Sequence, residues 1–432
     1  MEKEFSSSSS SASAETIEVH DVSRAQFPPD FVFGVATSAY QVEEYQKVST
    51  KKELTTNDLI NTVIVNDMKP FVTLFHFDLP HALEEEFDGF LNRDVAGRPY
   101  HQHYPLLNAA LAHHAAASNQ TIFNSSISSD AKRKRDPAKD AYTVGRNLLL
   151  AHALAVHSYR TKFQEHQKGQ IGIALNTLWC EPYKKGDADD IEAVKRAKDF
   201  VMGWFLEPVL TGKYPKTMID CVPCENLAAF SDGEAEMLKG SVDFLGLNYY
   251  TGFFVANDPN PTDIGYLGDQ RVEICFSDAT GKKLGPEAGL FWLHVYPEGI
   301  YNVLIKYVID KYGDKIPPIY ITENGVAEKN NEKLTVTEAC VDSMREDYHK
   351  THFVYLLKAM KEKTAPANVK GYFAWSWCDN FEWAHGYTAR FGLIYIDYKN
   401  NQKRYPKTSA RWFAKFLGGK EFLGANQENV EE

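Results

Sequence analysis

The chain has 432 residues with a formal net charge of −11, and 44% of its residues are hydrophobic. This composition is ordinary for a globular protein with one large barrel or two smaller domains, and the negative charge argues against nucleic acid as the main partner. Aromatic residues make up 13% of the chain, which suits a cleft for sugars or flat organic ligands as well as core packing.

The two ends of the chain and its cysteines set the expected surroundings. Residues 1–26 are rich in serine and predict a disordered tail, and residues 419–432 predict an acidic tail. The six cysteines are scattered, and only Cys221 and Cys224 lie close together, so we expect no metal and no cofactor. The start has no apolar segment of the signal-peptide kind, and no apolar run is long enough to span a bilayer.

These features predict a protein that is not secreted, has no contact with a membrane and resides in the cytoplasm. The basic run at 132–135 could instead serve as a nuclear import signal, although a solvated cluster of loop charges is the simpler interpretation.

Short apolar strands alternate with amphipathic helices from residue 27 onwards. The predicted strands lie at 27–41, 71–76, 171–176, 243–250, 319–325 and 371–377. The predicted helices lie at about 59–64, 148–159, 191–205, 297–312 and 337–360. This alternation predicts an α/β protein with a parallel sheet.

Polar or aromatic side chains stand at the carboxyl end of each predicted strand. They are Gln41, His76, Asn176, Asn248 with Tyr250, Glu323 and Trp375. In a (β/α)8 TIM barrel these strand ends converge on one face, which carries the active site. A doubly wound sheet also binds ligands there, but no Gly-rich phosphate loop follows the first strand, so we predict a single barrel domain over residues 27–418.

Glu323 is the most informative of these side chains. It ends the apolar run Ile319-Tyr320-Ile321-Thr322 and is followed at once by Asn324-Gly325, a dipeptide typical of turns. A carboxylate at the end of a buried strand costs free energy unless another group pairs with it, which favours a functional interpretation. For this stretch in isolation, a glutamate that caps a turn would be the simpler interpretation.

Several stretches together resemble the family 1 glycoside hydrolases, in particular the plant β-glucosidases. Residues 321–325 match that family's nucleophile motif, residues 27–41 match its N-terminal pattern except that Glu44 stands in place of a glycine, and residues 375–383 with 391–397 match its last strand and sugar-binding loop. The match extends over residues 27–416. Within the family, the chain looks most similar to enzymes that act on alkaloid glucosides.

The resemblance implies a retaining β-glucosidase that acts on a small-molecule β-glucoside. It implies that Glu323 is the nucleophile, oriented by Tyr250 and Asn248. The residues implied to bind the glucose hydroxyls are Gln41, His76, Glu382 and Trp383, with Trp375 as the stacking platform. Those expected on the aglycone side are Trp292, His294, Tyr296 and Trp377. Taken alone, His76 could be a core histidine, the tryptophans could be packing and Glu382 a solvated charge; their joint spacing favours the sugar site.

One essential group of the family is missing. Retaining glycosidases use a second carboxyl group as acid/base, about 5–5.5 Å from the nucleophile. The family supplies it from an Asn-Glu-Pro sequence at the end of the fourth strand, and this chain contains no such sequence. Its Glu181-Pro182 and Glu207-Pro208 pairs belong to stretches after the fifth strand, so neither is a candidate acid/base.

Two strands of the barrel are also not recognisable. The second strand should lie near residues 44–56, where too few residues are present, and the fourth should lie in the atypical insert 93–136. The Ala/His-rich part of that insert could be helical, and nothing in it predicts a strand. The third strand would then lack neighbours on both sides, and the chain resembles an internally deleted form of a β-glucosidase.

Three functional interpretations follow from this pattern. The first is a β-glucosidase-type hydrolase whose activity is crippled by the loss of its acid/base. The second is an inactive interaction protein that forms homo- or hetero-oligomers with full-length homologues and modulates them. The third is a chain that does not reach a stable fold.

Overall fold

The computed structural model describes residues 22–43, 56–76, 88–93, 109–113 and 136–419, with the backbone alone for 109–113. Most of the predicted N-terminal tail and the basic run at 132–135 lie outside these residues. Described structure begins at Val22, inside the predicted tail. There a short 3-10 turn, Arg24–Gln26, is held by the Arg24 guanidinium, which donates to the carbonyl of Pro28 at 2.9 Å.

Twelve strands and fourteen α-helices lie in the described residues. The strands are β1 Val32–Ala36, β2 Val72–Thr73, β3 Ala109–His113, β4 Gly172–Pro182, β5 Phe244–Asn257, β6 Val272–Cys275, β7 Ile319–Asn324, β8 Glu328–Lys329, β9 Val369–Trp375, β10 Ala389–Arg390, β11 Ile394–Asp397 and β12 Lys403–Pro406. The helices are α1 Ala39–Glu43, α2 Thr56–Val65, α3 Asp140–Lys162, α4 Gln164–Gln167, α5 Ala188–Lys198, α6 Trp204–Thr211, α7 Lys216–Cys221, α8 Asp232–Leu238, α9 Tyr266–Asp269, α10 Glu298–Val303, α11 Asp310–Tyr312, α12 Val336–Ala339, α13 Ser343–Met360 and α14 Thr408–Phe416.

The main sheet is parallel and runs in the order β1-β9-β7-β5-β4-β3-β2, with β6 added antiparallel to β5. Helices lie in the chain between β3 and β4, β4 and β5, β5 and β7, and β7 and β9, as the alternation of strands and helices predicts. The parallel α/β architecture with barrel topology is therefore confirmed.

The fourth strand is present, contrary to the expectation for the insert. β3 pairs with β2 on one side, where Val72 lies opposite Ala109, and with β4 on the other, where Ala112 lies opposite Ala174. The local sequence favours a helix, but the backbone groups at the facing edges of β2 and β4 require partners. Strand formation depends on such tertiary context more than on local propensity, and pairing prevails here.

The second strand is not found among the described residues. The path of the sheet ends at β1 on one side and at β2 on the other, and no described strand joins them. The residues expected to form the strand, 44–56, lie outside the described part of the chain except for Thr56, so the incomplete barrel stays a prediction at this position.

The sheet curls so that residues from distant strands meet in its interior. The ring of Phe71, which directly precedes β2, lies 4.7 Å from that of Phe373 in β9 and 5.2 Å from that of Tyr320 in β7. Phe244 of β5 and Ala174 of β4 complete this buried interior cluster. Contact between the two ends of the strand path shows that the sheet wraps as a barrel wall does.

The opposite faces of the strands pack against the helices. Side chains alternate along each strand, so the residues between the interior positions point outwards. Leu245 and Leu247 of β5 and Ile319 and Ile321 of β7 are buried in this outer layer together with Phe353 of α13. None of the described helices is both long and apolar enough to cross a membrane.

A buried cluster of charges supports the segments that follow β7 and β9. The Arg345 side chain is fully buried and donates to Glu328 at 2.8 Å, to Asp342, and to the carbonyl of Arg390 at 2.7 Å. Asp379 is also fully buried and accepts from Arg390 at 2.6 Å. Asp379 accepts in addition from the buried ammonium of Lys407 at 2.9 Å.

This cluster should dominate the stability of the barrel's carboxyl-terminal third. We expect Arg345→Met to lower the free energy of unfolding by about 3–5 kcal/mol, because it leaves the carboxylates of Asp342 and Glu328 without their cation. Urea denaturation followed by circular dichroism measures the loss. Lys399→Met, which breaks an exposed pair with Glu332, is the control and should leave the unfolding midpoint unchanged. Equal stability of the two variants would contradict the expectation.

Candidate functional site

Glu323 and Tyr250 meet at the carboxyl ends of two adjacent strands. The Tyr250 hydroxyl donates to Glu323 Oε2 at 2.5 Å, and Glu323 stands opposite Asn248 in the register of β5 and β7. Asn248 in turn stands opposite Asn176 of β4, so the three polar residues lie at one level of the barrel. Thr322 donates to the side-chain oxygen of Asn248 at 2.6 Å. The structure thus brings Glu323, Tyr250 and Asn248 together as the sequence predicted.

The protonation of Glu323 is set by opposing effects. Burial raises its pKa above the usual value of a glutamate, while the imidazole of His76, when protonated, and the side-chain hydrogen bonds from Tyr250 and Asn248 act to lower it. Burial dominates. The hydrogen bonds stabilise the ionised form, which is the form that could attack an electrophilic carbon.

A second buried carboxylate, Glu382, lies on the segment after β9. Gln41 Nε2 lies 3.4 Å from Glu382 Oε2 and also donates to the carbonyl of Phe381 at 3.0 Å and to Asn380 at 3.2 Å. Burial and the nearby charge of Glu323 raise the pKa of Glu382 to about 8. Among the described residues, the side-chain oxygen of Gln41 is buried without a hydrogen-bond partner, so an acceptor is available there for a ligand hydroxyl.

Aromatic rings lie close to these carboxylates. The imidazole of His76 lies 5.8 Å from the ring of Trp383 and 6.3 Å from that of Trp375. Trp375 ends β9 and is 4% exposed, packed in a cluster with Phe391. Planar faces beside amide and carboxylate groups match the alternating C–H and hydroxyl surfaces of a sugar ring.

The residues expected on the aglycone side fall into different places. Trp292 is half-buried and packs against the cluster that contains Trp375, as Tyr250 also does. His294 is buried, and Tyr296 donates to Glu181 at 3.1 Å. The remaining residue, Trp377, is 40% exposed, and the guanidinium of Arg404 lies 5.6 Å above its ring.

The glutamates of the two Glu-Pro pairs form hydrogen bonds and an ion pair with neighbouring side chains. Glu181 lies beyond Asn176 on β4 and accepts from the indole of Trp179 at 2.7 Å as well as from Tyr296. Glu207 lies on the outer helix α6 and pairs with Lys311 at 3.1 Å. The end of the fourth strand, where the resemblance implies the acid/base, corresponds to the end of β3 at His113, and the side chains there lie outside the described residues.

The described residues contain no group of three or more His, Cys, Asp or Glu side chains that could hold a metal ion.

Two features of the site were missed by sequence reasoning. Asn380 and the Phe381 carbonyl hold Gln41, and their position in the matched loop was the available signal. Gly325 was expected to form a turn, yet it is not among the glycines with positive φ. A Cβ atom at Gly325 would lie 1.8 Å from the Trp375 carbonyl, so the glycine is required by close approach of two strand ends.

A wrapped parallel sheet that presents a buried, hydrogen-bonded carboxylate amid amide, carboxylate and aromatic groups is typical of the (β/α)-barrel hydrolases that act on sugars. The family model described as Glycosyl hydrolase family 1 matches residues 56–422. The chain belongs to this family.

Individual relatives agree with this assignment. The chain is 42% identical over 380 residues to β-glucosidase 11 of Oryza sativa subsp. japonica, a match that covers 84% of this chain and 70% of that protein. It is 41% identical over 394 residues to raucaffricine-O-β-D-glucosidase of Rauvolfia serpentina, covering 82% and 72%.

Solved structures show the same fold. A variant of rice Os3BGlu6 β-glucosidase in a covalent complex with Glc from GA4GE superimposes with a TM-score of 0.78 at 30% identity, covering 90% of this chain and 98% of that one. The family 1 β-glucosidase of the fungus Humicola insolens in complex with glucose gives a TM-score of 0.79 at 30% identity, covering 91% and 98%.

The raised pKa of Glu382 makes stability depend on pH. Between the ordinary value of 4.5 and about 8, the folded state binds more protons at this group than the unfolded state, so this group makes stability fall as pH rises. We expect Glu382→Gln to reduce this loss by up to about 1.4 kcal/mol per pH unit. Urea unfolding at pH 5, 6.5 and 8 measures it.

The control for this measurement is Glu362→Gln, which removes a carboxylate that accepts from Tyr301 outside the site. It should leave the slope of stability against pH as in the unmodified chain. An unchanged slope in Glu382→Gln would contradict the expectation.

Proposed function

We propose that this chain is a retaining β-glucosidase-type hydrolase in which Glu323 is the nucleophile and the acid/base is lacking. The observation that carries the proposal is the hydrogen bond from Tyr250 to Glu323 at 2.5 Å. It lies at the strand ends, near the amide, carboxylate and aromatic side chains proposed to bind the sugar. The residues that bind the glucose hydroxyls in this proposal are Gln41, His76, Glu382 and Trp383, and Trp375 stacks on the ring.

The first step would proceed as follows. A Glu323 oxygen attacks the anomeric carbon, the bond from that carbon to the glycosidic oxygen breaks, and the leaving group takes the electron pair of that bond. Tyr250 and Asn248 hold the carboxylate in position until it becomes the ester of a glucosyl-enzyme. Water then releases glucose and restores the carboxylate.

The missing acid/base restricts this chemistry to certain substrates. General acid assistance contributes roughly 10²–10⁴ in rate, since it protonates the leaving oxygen as the bond breaks. Without it, the leaving group must be stable as an anion. Phenols of low pKa and other stabilised anions meet this condition, whereas simple alkyl alcohols do not.

The substrate's aglycone would lie on the side of Trp292. This half-buried indole and Tyr250 pack against the same cluster, which contains Trp375, and this shared packing supports the assignment. A flat aromatic aglycone could stack there. One relative is named as an ipecac alkaloid β-glucosidase, and an alkaloid-type aglycone is the class that this name suggests for the chain.

The alternative function is that of an inactive subunit that associates with full-length relatives. The observation that favours it is that the described path of the sheet ends at β1 and at β2, since the edge of a sheet is a common place for another chain to pair. A folded chain that fails the labelling experiment below would support this alternative over the first proposal. A location in the cytoplasm or the nucleus is also proposed for this chain.

Covalent labelling tests the nucleophile directly. We expect a 2,4-dinitrophenyl 2-deoxy-2-fluoro-glucoside to form one stable adduct on Glu323, because its leaving group departs without a proton and the fluorine slows hydrolysis of the ester. Intact-protein mass spectrometry and peptide mapping measure it. Glu323→Gln should abolish the adduct, and Glu362→Gln, which replaces a glutamate outside the site, should retain it. An adduct on another carboxylate would contradict the proposal.

Leaving-group dependence tests the missing acid/base. We expect turnover of a dinitrophenyl glucoside to exceed that of an alkyl glucoside by far more than the roughly 10²–10⁴ that general acid catalysis supplies. Azide should accelerate the activated substrate and yield glucosyl azide, because this anion attacks the glucosyl-enzyme without base assistance. Steady-state rates and product analysis measure both effects. Rapid hydrolysis of the alkyl glucoside would show that a general acid is present.

A further inference from the structure

β7 carries one more residue than both of its neighbours just before its end. Against β5, Leu247 pairs with Ile321 but Asn248 pairs with Glu323, and against β9, Tyr372 pairs with Ile321 but Ala374 pairs with Asn324. An extra residue on one strand is a β-bulge, which bends the strand and changes the direction of the side chains that follow.

The bulge decides where Glu323 points. Ile319 and Ile321 are buried in the outer layer, and Tyr320 is buried in the interior. Thr322 also faces inwards, since a Cβ atom on the interior Gly246 would meet it at 2.9 Å. Strict alternation would therefore turn Glu323 outwards, towards the helices. Instead Glu323 meets Tyr250 in the site.

Asn324 takes the outward direction instead and is fully buried there. Its side-chain nitrogen donates to the Tyr249 carbonyl at 2.7 Å and to the Tyr348 hydroxyl at 3.0 Å, and its oxygen accepts from the Tyr372 hydroxyl at 2.5 Å. The Tyr348 hydroxyl, which belongs to α13, donates to the Tyr250 carbonyl at 2.9 Å.

These contacts replace strand pairing at the point where the register shifts. Asn324 ties β7 to β5 through the Tyr249 carbonyl and to β9 through Tyr372. Tyr348 ties the same asparagine to the backbone of Tyr250, whose side chain holds Glu323. Buried polar networks of this kind fix one arrangement, because a broken link leaves a desolvated group without a partner.

We infer that Asn324, Tyr348 and Tyr372 are positioning residues that lock the β7 bulge and thereby aim Glu323 at Tyr250. None of the three needs to touch the substrate. They act through the backbone of the strands that present the nucleophile and its tyrosine. This inference rests on the proposed function of Glu323 as the nucleophile, and its structural part can be tested without activity.

The principal test compares Tyr348→Phe with Tyr301→Phe. The first loses the hydroxyl that bridges Asn324 and Tyr250, and the second loses a hydroxyl that donates to Glu362 at 2.7 Å outside the site. We expect the rate of Glu323 labelling by the fluoro-glucoside to fall about 10²-fold in Tyr348→Phe, the size of effect that misplacement by about 1 Å produces. The reagent's dissociation constant should change little, and Tyr301→Phe should label normally.

The pH profile separates positioning from a general loss of stability. His76, Tyr250 and Glu382 are the titratable groups that act on Glu323. A displaced Tyr250 stabilises the ionised Glu323 less, so the acid limb of the labelling rate should move to higher pH in Tyr348→Phe, as it should in Tyr250→Phe. An acid limb at the same pH as in Tyr301→Phe would overturn the inference.

Hydrogen–deuterium exchange provides a readout that does not depend on catalysis. Peptides covering residues 319–326 should exchange about tenfold faster in Tyr348→Phe than in Tyr301→Phe, since the strand end loses its side-chain links. If Tyr348→Phe fails to fold, Tyr372→Phe, which removes the contact to Asn324 Oδ1, serves in its place. Unchanged exchange in the folded variant would overturn the inference.

The two proposals can fail separately. Absence of any adduct on the folded, unmodified chain would reject Glu323 as a working nucleophile, and the exchange data would then decide whether the bulge is locked. Normal labelling of the unmodified chain together with normal labelling of Tyr348→Phe would reject the positioning role and leave the proposed function intact.

Discussion

The burial of Glu323 is the constraint on which the rest of the site depends. A carboxylate taken out of water is costly unless donors compensate it, and here Tyr250 and Asn248 supply those donors from the adjacent strand. The donors can do so only if β5 and β7 end at the same level. The position of one oxygen atom is therefore tied to the register of the whole parallel sheet.

The same sheet explains how the described strands present this site, although no described strand joins β1 to β2. Glu323 and most of the proposed sugar-binding groups lie on or directly after four strands, β5, β7, β9 and β1. These four strands are consecutive in the sheet. The gap in the described path lies beyond them, between β1 and β2. The half of the barrel that holds Glu323, Tyr250, Trp375 and Gln41 is supported by its own outer helices and by the buried charges around Arg345 and Asp379.

Under the proposed function, the chemistry is more sensitive than the fold to the lack of an acid/base. A retaining glycosidase divides its work between two carboxyl groups on opposite sides of the glycosidic bond. In this proposal, binding and attack belong to β5, β7, β9 and β1, whereas proton transfer would belong to the end of the fourth strand, β3. Under the proposed function, the chain keeps the interactions that form a glucosyl-enzyme and loses those that accept poor leaving groups.

The sequence determined the class of fold and singled out Glu323 and most of its neighbours as site residues. It could do so because these depend on local pattern: apolar strands, polar strand ends and a matched set of motifs. It could not determine that Ala109–His113 would pair as a strand, since the facing edges of β2 and β4 and not the local residues require it. It also could not show the extra residue in β7, because a bulge exists only relative to neighbouring strands. The tertiary structure alone decided that Glu323 turns inwards and Asn324 outwards, since direction in a sheet is set by register, and register is a property of the assembled strands.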